Sequence, residues 1–165
     1  MRKFRIPTFF IILASWQIII PIFLASCTGR KAPEPAAIDT EIIDMWDNGR
    51  ARKVWVYARV DGVRTPIKEI QYHPEGVKSM EGPLKDGKRH GEWKSWYENG
   101  SLWSIGHFSY GLRHGKGIVY HPNGQKFIEG NYINGERAGK WIFWDENGRS
   151  ITEIEALKMA PELVE

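Results

Sequence analysis

Apolar and polar residues alternate in short segments through the second half of the chain, and glycine interrupts the alternation at fixed intervals. Residues 101–108, 115–120, 125–132 and 139–144 are each six to eight residues long and rich in aromatic and β-branched side chains. That length and composition predict strands. The segments are separated by Asn99-Gly100, Asn123-Gly124, Asn134-Gly135 and Asn147-Gly148, dipeptides that two-residue hairpin turns prefer. No helix fits in that spacing.

The pattern recurs every 24 residues. Gly76, Gly100, Gly124 and Gly148 form one column, Gly82, Gly106 and Gly130 a second, Gly87, Gly111 and Gly135 a third, and Gly91, Gly115 and Gly139 a fourth, so thirteen of seventeen glycines hold repeat-fixed places. A fixed period of this length marks a repeat architecture, in which each unit buries its apolar face only by stacking on a neighbour. Two columns stay large and apolar: Tyr72, Trp96, Tyr120, Trp144 and Leu84, Phe108, Tyr132. Residues of one column project to one face of a sheet, which makes these the expected core stripes, with about 1.5–3 kcal/mol contributed per buried ring.

The phrase Gly-x-Arg-His-Gly-Glu-Trp at 87–93, with its counterparts at 111–117 and 135–141, together with the aromatic and Asn-Gly columns, resembles the MORN repeat in its bacterial variant. The resemblance covers residues 72 to about 151 and implies an all-β, elongated single sheet of successive antiparallel hairpins. Local departures are Gly117 in place of the tryptophan of Trp93 and Trp141, Ala138 in place of the histidine of His90 and His114, and Pro74-Glu75 before Gly76. A degraded unit precedes the regular ones, with Trp46-Asp47-Asn48-Gly49, a strand over 53–60 and Asp61-Gly62. Its turn stands 27 residues before Gly76, not 24, and Pro66 lies near where a second glycine belongs. Terminal repeats are expected to be atypical caps, so 38–71 reads as an N-terminal capping repeat and 72–154 as the repeat body. A last strand is expected over 149–154, then a helical turn over 155–159 covering the edge, within a C-terminal cap of 155–165.

The first 26 residues differ in kind. Arg2, Lys3 and Arg5 precede an apolar run from Ile6 to Phe23, a secretory signal pattern that predicts an N-terminal signal helix. Leu24, Ala25 and Ser26 lead into Cys27, the sole cysteine, and resemble the lipobox of bacterial lipoproteins. The resemblance implies cleavage before Cys27, S-diacylglycerol on its sulfur and acylation of the new amino group. Two or three acyl chains make a stable membrane anchor. The alternative is an uncleaved transmembrane anchor, since about 20 apolar residues span a bilayer. Both place the rest of the chain outside the cytoplasm. Residues 27–37 read as a flexible tether, and the same lipoprotein resemblance implies, from Thr28 rather than an aspartate after the cysteine, the outer membrane if the host has one.

The formal charge of +3 comes from Arg2, Lys3 and Arg5, so 20 basic and 20 acidic side chains remain from Cys27 on. No basic footprint for nucleic acid is left. His90 and His114 share a column, as do His73 and His121, but equivalent positions in neighbouring hairpins stand roughly 9–10 Å apart, too far for a shared metal. The carboxylates do not converge as acid-base pairs would. We therefore expect no metal, no cofactor and no enzymatic activity. The expected role is a membrane-anchored binding or scaffold protein of the cell envelope with a protein partner contacted through Trp93, Trp103, Phe127 and Trp141, the large residues outside the core stripes. Many proteins of the resembled family are labelled antitoxins, which implies toxin neutralisation as an alternative. Contact with lipid or peptidoglycan is a second alternative.

Overall fold

A computed structural model describes residues 38–160. The signal, the lipobox, Cys27, the tether and residues 161–165 lie outside the described residues. The strands are β1 (Asp39–Met45), β2 (Ala51–Val60), β3 (Val63–Tyr72), β4 (Lys78–Lys85), β5 (Lys88–Arg89), β6 (Gly91–Trp96), β7 (Leu102–Ser109), β8 (Leu112–Tyr120), β9 (Lys126–Ile133), β10 (Glu136–Trp144) and β11 (Ser150–Ile151), and one helix, α1 (Glu153–Met159), follows them. They form one antiparallel sheet in chain order, with β5 pairing β4 beside the main path. This is the all-β meander that the alternation predicts.

Two turn types alternate. Within a repeat, Asp61-Gly62, Asp86-Gly87, Tyr110-Gly111 and Asn134-Gly135 all have positive φ at both positions, as a two-residue hairpin turn requires. Between repeats the other Asn-Gly pairs depart from the expected two-residue form. The Gly100 amide donates to the Tyr97 carbonyl and the Tyr97 amide to the Ser101 carbonyl, each at 2.9 Å, which makes a three-residue loop. Only the glycine enters the left-handed region there. The asparagine instead turns its side-chain oxygen onto the amide two residues on, Asn99 to Ser101 at 2.9 Å and Asn123 to Gln125 at 3.0 Å, the local bond that favours this residue in turns.

Just after each such loop the register slips by one residue, at Ser79 in β4, Trp103 in β7 and Phe127 in β9. These bulges keep the 24-residue period and increase the local twist of the strand. The 27-residue first interval is explained by length. β2 has ten residues where β4, β7 and β9 have eight, and β3 has ten where β8 and β10 have nine. Pro66 is accommodated by a further slip between Val56 and Tyr57 of β2, which sets Ile67 outside the pairing.

The core lies elsewhere than the two stripes. Tyr72, Trp96, Tyr120 and Trp144 are half-buried, as are Phe108 and Tyr132, and only Leu84 of the two columns is buried. The buried apolar residues are Tyr57, Leu84, Trp93, Phe127, Ile128, Phe143 and Ala156. A single sheet has no second layer, so burial depends on what a neighbouring strand or helix lays over each residue. Among the described residues only α1 supplies such a layer, and it is longer than the expected turn. Thr152 caps it, its hydroxyl taking the Glu155 amide while the Glu155 carboxylate takes the Thr152 amide. That reciprocal box satisfies two amides at the helix start. Ala156 then packs fully buried against Phe127, Ile128 and Phe143, so the helix lies on β9 and β10 rather than along the edge.

Candidate binding groove at the repeat boundary

The first residue of each inter-repeat turn before Asp145 reaches across to the next repeat. Trp46 Nε1 donates to the Tyr72 carbonyl at 3.0 Å, His73 Nε2 to that of Trp96 at 3.0 Å, the Tyr97 hydroxyl to that of Tyr120 at 2.7 Å, and His121 Nε2 to that of Trp144 at 2.8 Å. A carbonyl only accepts, so Nε2 carries the proton in both histidines. The column shared by His73 and His121 therefore stitches repeats together. Tyr97→Phe removes one stitch without changing shape and is expected to lower stability by about 1 kcal/mol in urea denaturation.

On one face, tryptophan lies on glycine. A Cβ added to Gly82 would fall within 3.0 Å of the Trp93 ring, and one added to Gly130 would meet Trp141 equally closely. Arginine covers the outer side of each indole, Arg89 at 4.3 Å from the Trp93 ring and Arg137 at 4.2 Å from that of Trp141, an arrangement favoured by the ring's negative face. Thus the arginine of the recurring Arg-His-Gly phrase packs on an aromatic ring. Trp93 Nε1 also bonds the Pro83 carbonyl at 3.1 Å, whereas Trp141 Nε1 is buried without a partner among the described residues. In the middle repeat Gly117 leaves no tryptophan over Gly106, which has the Arg113 guanidinium and the Phe108 ring nearby, and Arg113 also lies over Tyr132.

Charges pair in the same register. Glu129 meets Lys116 and Lys126, each at 2.6 Å, and these bonds hold its carboxyl below the ordinary 4.5. For Glu81 burial acts upward, but Lys68 at 2.7 Å and Lys78 at 3.0 Å prevail and the net shift is downward. A carboxylate whose folded value lies below its unfolded one adds stability that is complete above the unfolded value and is lost as pH falls through the folded value. Stability should therefore hold from about pH 7 to 5 and decline below about 4.5, with Glu129→Gln reducing that decline. Urea midpoints across the range read it.

The four expected contact residues separate. Trp93 and Phe127 are each only 3% exposed, so neither offers surface to a partner. Arg89 covers the first, and α1 with His121, whose ring centroid is 4.6 Å from that of Phe127, covers the second. Trp141 is half-buried on its glycine. Trp103 is also half-buried, but it lines a cavity of about 920 Å³ with Trp96, Tyr97, His121, Phe127 and Met159. The cavity spans three successive repeats, with Glu98, Asn99 and Glu146 at its rim and the end of α1 closing one side. Sequence reasoning missed it because α1 and the bulges that turn Trp103 and Phe127 toward it are tertiary features. The recurrence of large residues at 103 and 127 after Asn-Gly was the available signal. Among the described residues no three His, Cys, Asp or Glu side chains could hold a metal ion, and no helix is long and apolar enough to cross a membrane.

Residues 89–110 and 113–134 each match the family model for the MORN repeat variant. The two matched units run from β5 through β9 and contain Trp103 and Phe127. MORN repeats suggest a binding or scaffold role, and nothing in the matched units indicates catalysis. No curated protein matches the chain. Among solved structures, one in the crystal structure of the GtfA/B complex bound to UDP and GlcNAc is similar over 81% of this chain at 13% identity, with a TM-score of 0.30; the chain spans 27% of its length.

Proposed function

We propose that this chain is a lipid-anchored, non-enzymatic binding protein of the bacterial cell envelope that holds a protein partner in the groove around Trp103. The cavity itself carries the reading: an aromatic-lined space assembled from three repeats and the end of a helix. Apolar concavities with a few polar groups at the rim are the usual form of binding sites. The MORN repeats agree with a scaffold that displays such a site. Leu24-Ala25-Ser26-Cys27 supports the anchor, by resemblance to a lipobox. A toxin in the envelope would be one partner of this kind.

Two measurements test this. Radiolabelled palmitate should enter the wild-type chain and not Cys27→Ala, and globomycin should block processing; unlabelled wild type overturns the anchor. Affinity capture from the envelope should recover a protein with the wild-type chain and lose it with Trp103→Ala. Equal recovery by both overturns the groove.

A further inference from the structure

The chemistry of the groove rim indicates what the groove receives, an inference that rests on the binding role just proposed. Among the described residues its lining contains no lysine or arginine. Two of its lining residues are exposed glutamates, Glu98 and Glu146. Neither has an ion-pair partner among the described residues, while Glu69, Glu81, Glu129 and Asp145 each pair with a lysine or arginine of the sheet. The pairing that neutralises the sheet's buried and half-buried carboxylates does not extend to these two exposed ones, which leaves the groove rim negative.

Geometry adds a length. Glu98 and Glu146 occupy the same position of turns two repeats apart. Four strand spacings of about 4.8 Å place them roughly 19 Å from each other. About six residues of extended chain cover that distance. Between them lie Trp103 and Phe127, with Tyr97 and Trp103 in ring contact at 6.1 Å between centroids. The turn asparagines supply one more feature. Asn48 Nδ2 donates to the Pro74 carbonyl and Asn123 Nδ2 to that of Glu146, but among the described residues Asn99 uses only its oxygen, on the Ser101 amide and hydroxyl. Beside Glu98, at one end of the groove, an amide N–H₂ is thus left at the rim for a backbone carbonyl.

We propose that the groove binds an extended peptide segment of a partner protein that carries two lysine or arginine side chains about six residues apart, with apolar side chains between them. The cations pair with Glu98 and Glu146, the apolar residues lie against Trp103, and Asn99 Nδ2 donates to a peptide carbonyl.

The test is tryptophan-fluorescence titration of the full chain in detergent with capped synthetic peptides. One has two lysines six residues apart flanking leucine and phenylalanine, and a second has glutamates in place of the lysines. The lysine peptide should bind about tenfold more tightly, as two exposed ion pairs would provide. The preference should shrink in 0.5 M salt, as expected of exposed charges, and vanish in the double variant Glu98→Gln, Glu146→Gln. That variant alters only exposed side chains without ion-pair partners, and its unfolding midpoint confirms the fold. Equal affinity for the two peptides, or an unchanged preference in the double variant, overturns the proposal. So does binding of an N-acetylated disaccharide in place of either peptide. Envelope capture that still depends on Trp103 while peptide charge has no effect would overturn the cationic ligand and leave the binding role standing. Loss of both would overturn the two together.

Discussion

Gly82→Ala is expected to lower the stability of the chain by about 3 kcal/mol, because the new methyl must displace a tryptophan ring that has nowhere to go. Trp93 is 3% exposed, bonded through Nε1 to the Pro83 carbonyl and covered by Arg89. The backbone at Gly82 lies outside the left-handed region, so the expected loss is steric rather than conformational. The same substitution at Gly130 should cost less, since Trp141 is only half-buried and its indole N–H is unbonded. At Gly106 the nearest heavy atom to an added Cβ is 3.8 Å away. There alanine fits, and by restricting the unfolded chain it should raise stability by about 0.5 kcal/mol. Urea denaturation of the three variants measures the order. A cycle with Trp93→Gly isolates the cause, because Gly82→Ala should become nearly neutral once the indole is gone. An equal loss at all three glycines would show that the column acts through backbone conformation.

Phe127→Ala should cost about 3–5 kcal/mol, the usual range for truncating a buried aromatic. Phe127 sits at a bulge, touches the His121 ring and carries α1 through Ala156. Its removal should therefore release the helix as well as leave a cavity, and α1 amides should lose protection in hydrogen exchange before the rest of the sheet does. Ser79, at the corresponding bulge of β4, offers a control. Ser79→Ala is expected to change stability by less than about 0.5 kcal/mol.

Much of this fold was legible because the 24-residue period binds many positions at once. Glycine columns gave the turns, and alternation gave the strands and their order. Which aromatic columns are buried was not legible. In a single sheet, burial is decided by the side chain that crosses from the next strand, and nothing in the alternation says that Trp93 lies on Gly82 while Trp96 remains half-buried. The groove was hidden for a related reason. It depends on bulges that re-aim Trp103 and Phe127 and on a helix whose docking residue is a single alanine. Trp103 was singled out by size and position, as was Phe127. Their separation into wall and floor required α1. The histidine column also changed meaning, since a repeat-to-repeat bond to a carbonyl leaves no mark on spacing.

The central claim is that a partner enters the groove at Trp103. Site-specific photo-crosslinking in intact envelopes tests it most directly, with a benzoyl-phenylalanine in place of Trp103 and, separately, of Ile105, which pairs with Lys94 and Ile118 and does not line the groove. The groove account predicts a defined protein adduct at position 103 and none at 105. Adducts at 105 with none at 103 would contradict it.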